Sequence, residues 1–116
     1  MLKTVPELIA EASATLKRLD AKSAMSEAMQ HDGLIIDVRE PSEVAAKPAS
    51  RSINIPRGVV EMMMREKFPS ADQPIYVHCA TGGRAVLATE QLERMGYTNV
   101  TAITCPIDTV CEAMEA

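Results

Sequence analysis

A chain of 116 residues, 47% hydrophobic and 24% charged, has the length and composition of one globular domain with a single core. Its net charge of −4 excludes non-specific nucleic-acid binding, which needs a basic face, and no apolar run reaches membrane-spanning length. Three cysteines, odd in number and irregular in spacing, do not make a disulfide framework and fit a reducing compartment.

The opening Met1-Leu2-Lys3-Thr4-Val5-Pro6-Glu7 has no apolar signal segment and brings in acid early, so the cytoplasm is the expected location. Thr4 to Glu7 has the form of a capping box with proline in the first turn. Leu8, Ile9, Ala12, Leu16 and Leu19 then recur at helical spacing. Residues 1–19 are therefore expected to be a helical extension packed on a domain spanning 20–116. Asp20 can cap a second helix carrying Ala24, Met25, Ala28 and Met29, which His31-Asp32-Gly33 stops. Leu34 to Val38 is a continuous apolar run broken only by Asp37, as in a strand buried on both faces. Pro41 to Ser52 is polar, with a helical turn at Ser42 to Ala46. Ile53-Asn54-Ile55 is a short strand stopped by Pro56, Val59 to Lys67 suits a helix, and Phe68 to Pro74 is a loop. Ile75 to His78 reads as a strand, Arg84 to Met95 as a helix closed by Gly96, Asn99 to Ile103 as a strand and Ile107 to Met114 as a last helix.

Strands alternating with helices predict an α/β fold, a small, mostly parallel sheet covered by helices on both faces. In such sheets ligands bind beyond the carboxyl ends of strands. Cys79 stands at one such end. Cys79-Ala80-Thr81-Gly82-Gly83 is a tight loop between strand and helix, and backbone N–H groups and the positive end of the helix dipole there favour an anionic sulfur. Gly82 and Gly83 let the backbone curl so that successive N–H groups aim at one point, and Arg84 adds a cation. The plain alternative is a buried cysteine acting as a small hydrophobe.

These motifs together resemble a single-domain rhodanese. Asp37-Val38-Arg39-Glu40-Pro41-Ser42-Glu43 is similar to that family's first signature, Ile53-Asn54-Ile55-Pro56 to its central one, and Cys79-Ala80-Thr81-Gly82-Gly83-Arg84-Ala85 to its active-site loop. Met95-Gly96-Tyr97-Thr98-Asn99-Val100 is similar to the turn before the last strand. The resemblance implies a rhodanese-like fold and a sulfurtransferase in which Cys79 takes sulfur from a donor such as thiosulfate. The persulfide would then pass to a thiol, cyanide or a protein acceptor. It implies that N–H groups from Ala80, Thr81, Gly82, Gly83 and Arg84 hold the sulfur, with Arg84 orienting the loop or holding an anionic donor, and that no metal or organic cofactor takes part. Four residues separate Cys79 from Arg84, where related cysteine phosphatases carry five; the shorter loop favours sulfur over phosphoester or arsenate chemistry. The chain departs from the family at Lys47 to Ser52, which lacks the usual histidine, and at Cys105-Pro106 and Val110, which replace two glycines and an aromatic. That altered loop keeps open a persulfide carrier or partner-binding module without turnover.

Other candidates have simpler readings. Cys105 follows a strand as Cys79 does, and could receive sulfur from it or form a disulfide with it; a buried structural cysteine is the simpler account. Cys111 falls in the last helix. His78 should point away from Cys79, because neighbours on a strand face opposite sides. No histidine and cysteine pair has zinc spacing. Asp37 and Arg39 suit a strand-end network, Met62-Met63-Met64 suits a helix with part of its surface in the core, and Arg51 and Arg57 could attract an anionic donor or simply be solvated. A monomer and a homodimer are both compatible with the sequence.

Overall fold

The computed structural model describes residues 1–115. Five strands form one sheet in the order β1-β5-β4-β2-β3, and every pairing is parallel. The strands are β1 Lys17–Leu19, β2 Leu34–Asp37, β3 Ile53–Asn54, β4 Ile75–His78 and β5 Val100–Ile103. The helices are α1 Val5–Ser13, α2 Ala21–His31, α3 Pro41–Ala46, α4 Val60–Lys67, α5 Gly83–Met95 and α6 Ile107–Glu115, with a 3-10 turn at Arg57–Val59. No helix among the described residues is long and apolar enough to cross a membrane.

Two cores follow from the strand alternation. Ile36, Val38, Ile75, Val77 and Cys79 pack with Val60, Met64, Ala85 and Leu92 under α4 and α5. Ile35, Tyr76 and Ile103 pack with Ala24, Met25, Val110 and Met114 under α2 and α6. Of the methionine run, Met64 is buried, Met63 packs at the core edge and Met62 is exposed. The expected caps are in place: Glu7 N–H donates to Thr4 Oγ1 and Ser23 N–H to Asp20 Oδ1, and Asp32, at φ 53°, ends α2.

The N-terminal segment departs from the sequence expectation. The first helix ends at Ser13, and Lys17 to Leu19 form the edge strand beside β5. Leu16 and Leu19 are three residues apart, which places them on one face of a helix. Here Leu16 joins a small core with Ala12, Val86 and Ala102, while Leu19 packs against the α2/α6 core. Pairing with β5 satisfies the backbone of Lys17 to Leu19, which outweighs the weak preference of three residues for continuing a helix.

Candidate active site

β4 delivers Cys79 to the carboxyl edge of the sheet, and α5 starts four residues later at Gly83. The Cys79 residue is only 1% exposed, so its sulfur lies at the floor of the loop. Two amides point at it: Gly82 N–H donates to Sγ at 3.1 Å and Ala85 N–H at 3.4 Å. These supply the partners an anionic sulfur needs once it is removed from water. Gly82 reaches its position with φ 105°, in the left-handed region that favours glycine. An added Cβ there would meet Thr104 O at 2.9 Å, so the β5–α6 loop packs directly against the Cys79 loop. Ile107 N–H donates to Ala80 O at 2.9 Å and ties the two loops again. Thr81 is the exposed tip of the loop.

Arg84 turns toward α3. Its Nη1 and Nη2 donate to Glu43 Oε2 and Oε1 at 2.6 and 2.8 Å. Glu43 Oε2 also accepts Glu40 N–H at 2.8 Å. These donors, the Arg84 guanidinium foremost, hold the Glu43 carboxyl far below its ordinary 4.5, at about 2. Glu43 is the residue that sequence reasoning missed. Its partner lies 41 positions away, and its marks in the sequence were its place at the end of the Asp37–Glu43 signature and its spacing three positions after Glu40 at the start of a proline-led helix.

Beneath α3 the expected strand-end network is present. Arg39 Nη2 donates to Asp37 Oδ2 and to Lys47 O, both at 2.8 Å, and Asn54 Nδ2 donates to Asp37 O and Arg39 O. Asp37 and Arg39 are both buried, so the pair serves the scaffold that carries Glu43.

His78 is fully buried, and its Nε2 lies 2.6 Å from Ser52 Oγ. It shares a strand with Tyr76 of the α2/α6 core, whereas Cys79 belongs to the α4/α5 core. Burial pushes its pKa below the ordinary 6.5 despite the nearby Asp37 charge. A lowered folded-state value means that the unfolded chain takes up the proton first as pH falls. Stability should therefore decline as pH drops from about 7 to about 5, a slope absent from His78→Gln. Urea midpoints across that range check this; an equal slope in the variant refutes it. Glu43 adds a loss of the same sign only lower, from 4.5 toward about 2.

α1 also reaches the site. Gly83 has no left-handed φ, so its backbone alone does not demand glycine, but an added Cβ would lie 2.8 Å from Ile9 Cδ1. Because that atom is the far end of a flexible side chain and can turn aside, Gly83→Ala should come out near neutral in the wild type, the cost of displacing Ile9 offsetting the gain from a less free unfolded chain. In an Ile9→Ala background the same change should stabilise by about 0.5 kcal/mol through reduced unfolded-state freedom. A double-mutant cycle of unfolding free energies measures the coupling, and additive effects would refute it.

The remaining cysteines pack against the α2/α6 core. Cys105 Sγ accepts Ala21 N–H at 3.3 Å and packs at the edge of the α2/α6 core, while Cys111 lies near Pro48 O with its thiol pKa pushed up by burial. All three cysteines are unpaired. Arg57 bonds Glu61, and Arg51 lines a shallow groove beside α2.

A family model described as Rhodanese-like domain matches residues 18–106. A curated relative from Schizosaccharomyces pombe, "Putative thiosulfate sulfurtransferase, mitochondrial", is 32% identical over 78 residues. That match takes in 58% of this chain, and the chain spans only 55% of the relative's length. Among solved structures, a Rhodopseudomonas palustris protein of unknown function described as a possible tyrosine phosphatase superposes with a TM-score of 0.84 at 22% identity. The alignment covers 97% of this chain and 92% of that one, and at that identity it speaks for the fold alone. The polysulfide-sulfur transferase homodimer of Wolinella succinogenes gives a TM-score of 0.71 at 25% identity, covering 91% of this chain and 80% of the other.

Proposed function

The chain belongs to the rhodanese-like domain family, and from that premise we infer that it is a sulfurtransferase working through a persulfide on Cys79. The observation that carries the reading is the Cys79 sulfur, set at the end of β4 with the Gly82 and Ala85 amides directed at it. The Cys79 thiolate attacks the outer sulfur of a sulfane donor such as thiosulfate. The donor's S–S bond breaks, and sulfite leaves with the bonding pair. A thiol, cyanide or a protein acceptor then takes the outer sulfur and returns the Cys79 thiolate. One difficult transfer is thus split into two nucleophilic steps. The loop amides from Ala80 to Arg84 take up negative charge on the transferred sulfur, and Arg84, locked to Glu43, fixes the start of α5 and with it the Ala85 amide. A reducing compartment such as the cytoplasm suits a nucleophile that must stay unpaired.

Reduced protein treated with a sulfane donor should gain the mass of one sulfur atom, removable by a thiol. Absence of any gain with thiosulfate and with organic persulfides alike refutes the reading. Loading without discharge to cyanide or any thiol would instead identify a persulfide carrier.

A further inference from the structure

We propose that the groove between α2 and the loop before β3 is a docking site for an acidic segment of a partner protein, one with paired carboxylates at one end and an apolar side chain at the other. The site stands independent of the chemistry at Cys79. Lys22, Met25, Ser26 and Met29 recur at positions i, i+3, i+4 and i+7 of α2 and share one face of that helix. Arg51, from the loop before β3, and Ala113, from α6, complete the lining. The groove holds about 180 Å³. Pockets that enclose a small organic ligand run from about 300 Å³ upward, so this one suits a side chain of a segment laid across it.

Charge selects the occupant. Lys22 and Arg51 are the charged residues lining the groove, and both are exposed cations in a chain of net charge −4. Neither has a carboxylate partner among the described residues. Asp20, the cap of α2, directs its two oxygens at Ser23 N–H and Ser23 Oγ. Glu27 pairs with Lys17 and Asp108 with Lys47. Glu112 and Glu115, exposed on either side of Ala113, pair with neither groove cation. An incoming pair of carboxylates therefore finds an ammonium and a guanidinium that no acid of the chain holds. Met25 is buried, whereas Met29 is 72% exposed, and a thioether adapts to varied apolar side chains. Met29 stands about 10 Å along the helix from Lys22, a span that an extended segment covers in about three residues. No aromatic side chain lines the groove to stack a base. Two cations also fall short of the cluster of about 4–8 that recognises an anionic lipid surface. Lys22 lies in the first turn of α2, just after β1, and Arg51 precedes Ser52, whose Oγ is 2.6 Å from Nε2 of His78 at the end of β4. The cationic end thus opens at the sheet edge from which Cys79 emerges, but on the α2/α6 face, and a segment seated there leaves the α4/α5 face uncovered.

The test follows the anisotropy of a fluorescent synthetic peptide carrying paired aspartates, a glycine spacer and a leucine, titrated with the full chain. Saturable binding should weaken at least about tenfold in Lys22→Glu/Arg51→Glu and about threefold or more in Met29→Ala. Raising the salt from about 0.05 M to about 0.5 M should weaken it as well. Lys67→Glu/Arg94→Glu is the control. It makes the same change in net charge at exposed cations on α4 and α5, and binding should stay within about twofold of wild type. All four cations are exposed, so both double variants should keep the fold, which thermal unfolding checks. No saturable binding, an equal loss in the control, or equal affinity for the peptide with asparagine in place of aspartate overturns the docking site. Tighter binding of phosphatidylserine vesicles or of a single-stranded oligonucleotide, lost in Lys22→Glu/Arg51→Glu, overturns the acidic segment as its occupant.

Discussion

Cys79→Ser should lose sulfur transfer altogether, by a factor on the order of 10⁴ or more, while keeping its fold. The loss is large because the thiolate enters the chemistry twice, as nucleophile toward the donor and as leaving group toward the acceptor. A serine alkoxide is inaccessible near neutral pH, and an oxygen in place of Sγ cannot carry the persulfide. The fold should hold because the serine oxygen can accept the Gly82 and Ala85 N–H bonds that Sγ now accepts at 3.1 and 3.4 Å, and the volume change is small. Stability should stay within about 1 kcal/mol of wild type. Thermal unfolding beside steady-state cyanide assays separates the two effects. Cys105 and Cys111 remain in the variant, so residual loading would assign the sulfur to one of them. Residual turnover above a hundredth of wild type would remove Cys79 from the mechanism.

Much of this arrangement was legible from the sequence because its signals are local. Caps at Thr4 and Asp20, the stops at Asp32 and Gly96, and buried strands read as apolar runs all act within a few residues. The opposite orientations of His78 and Cys79 follow from strand geometry alone. Contacts that join distant segments were not legible. β1 is three residues long and borrows its definition from β5. Leu16 and Leu19 fit a helix and a strand junction equally well until the neighbours are known. Glu43 closes the Asp37–Glu43 signature with nothing nearby to name its partner, and only the fold brings the Arg84 guanidinium to it. The two glycines of the loop carry no mark of their different reasons: Gly82 answers to backbone conformation and to Thr104, Gly83 to Ile9. Arg84 could have faced a donor; the pairing with Glu43 turns its guanidinium to the scaffold.

Gly82→Ala should do the most damage of any change that leaves the reacting atoms untouched. Two separate penalties act there. A side chain at φ 105° is strained, and its Cβ would lie 2.9, 3.2 and 3.3 Å from the O, Cα and C atoms of Thr104, all of them backbone. Strain and overpacking together should cost about 2–4 kcal/mol, lowering Tm by about 10 °C or more. Relief requires movement of one of two loops. If the Thr104 loop retreats, the Ile107 N–H to Ala80 O bond at 2.9 Å is pulled apart. If the Cys79 loop retreats, the Gly82 N–H leaves Sγ. Either motion disturbs the cradle, and transfer should fall about a hundredfold, as for misplacement of a reacting group by about 1 Å. Gly96→Ala supplies the comparison. Its φ is 115°, nearly the same, but an added Cβ meets nothing within 4 Å, and it closes α5 at the far end from Cys79. That variant should lose only about 1–2 kcal/mol, with transfer by the folded protein unchanged. Equal activity losses in the two variants would reduce the Gly82 effect to stability alone. A wild-type rate in Gly82→Ala would show that sulfur transfer does not depend on the amide it positions.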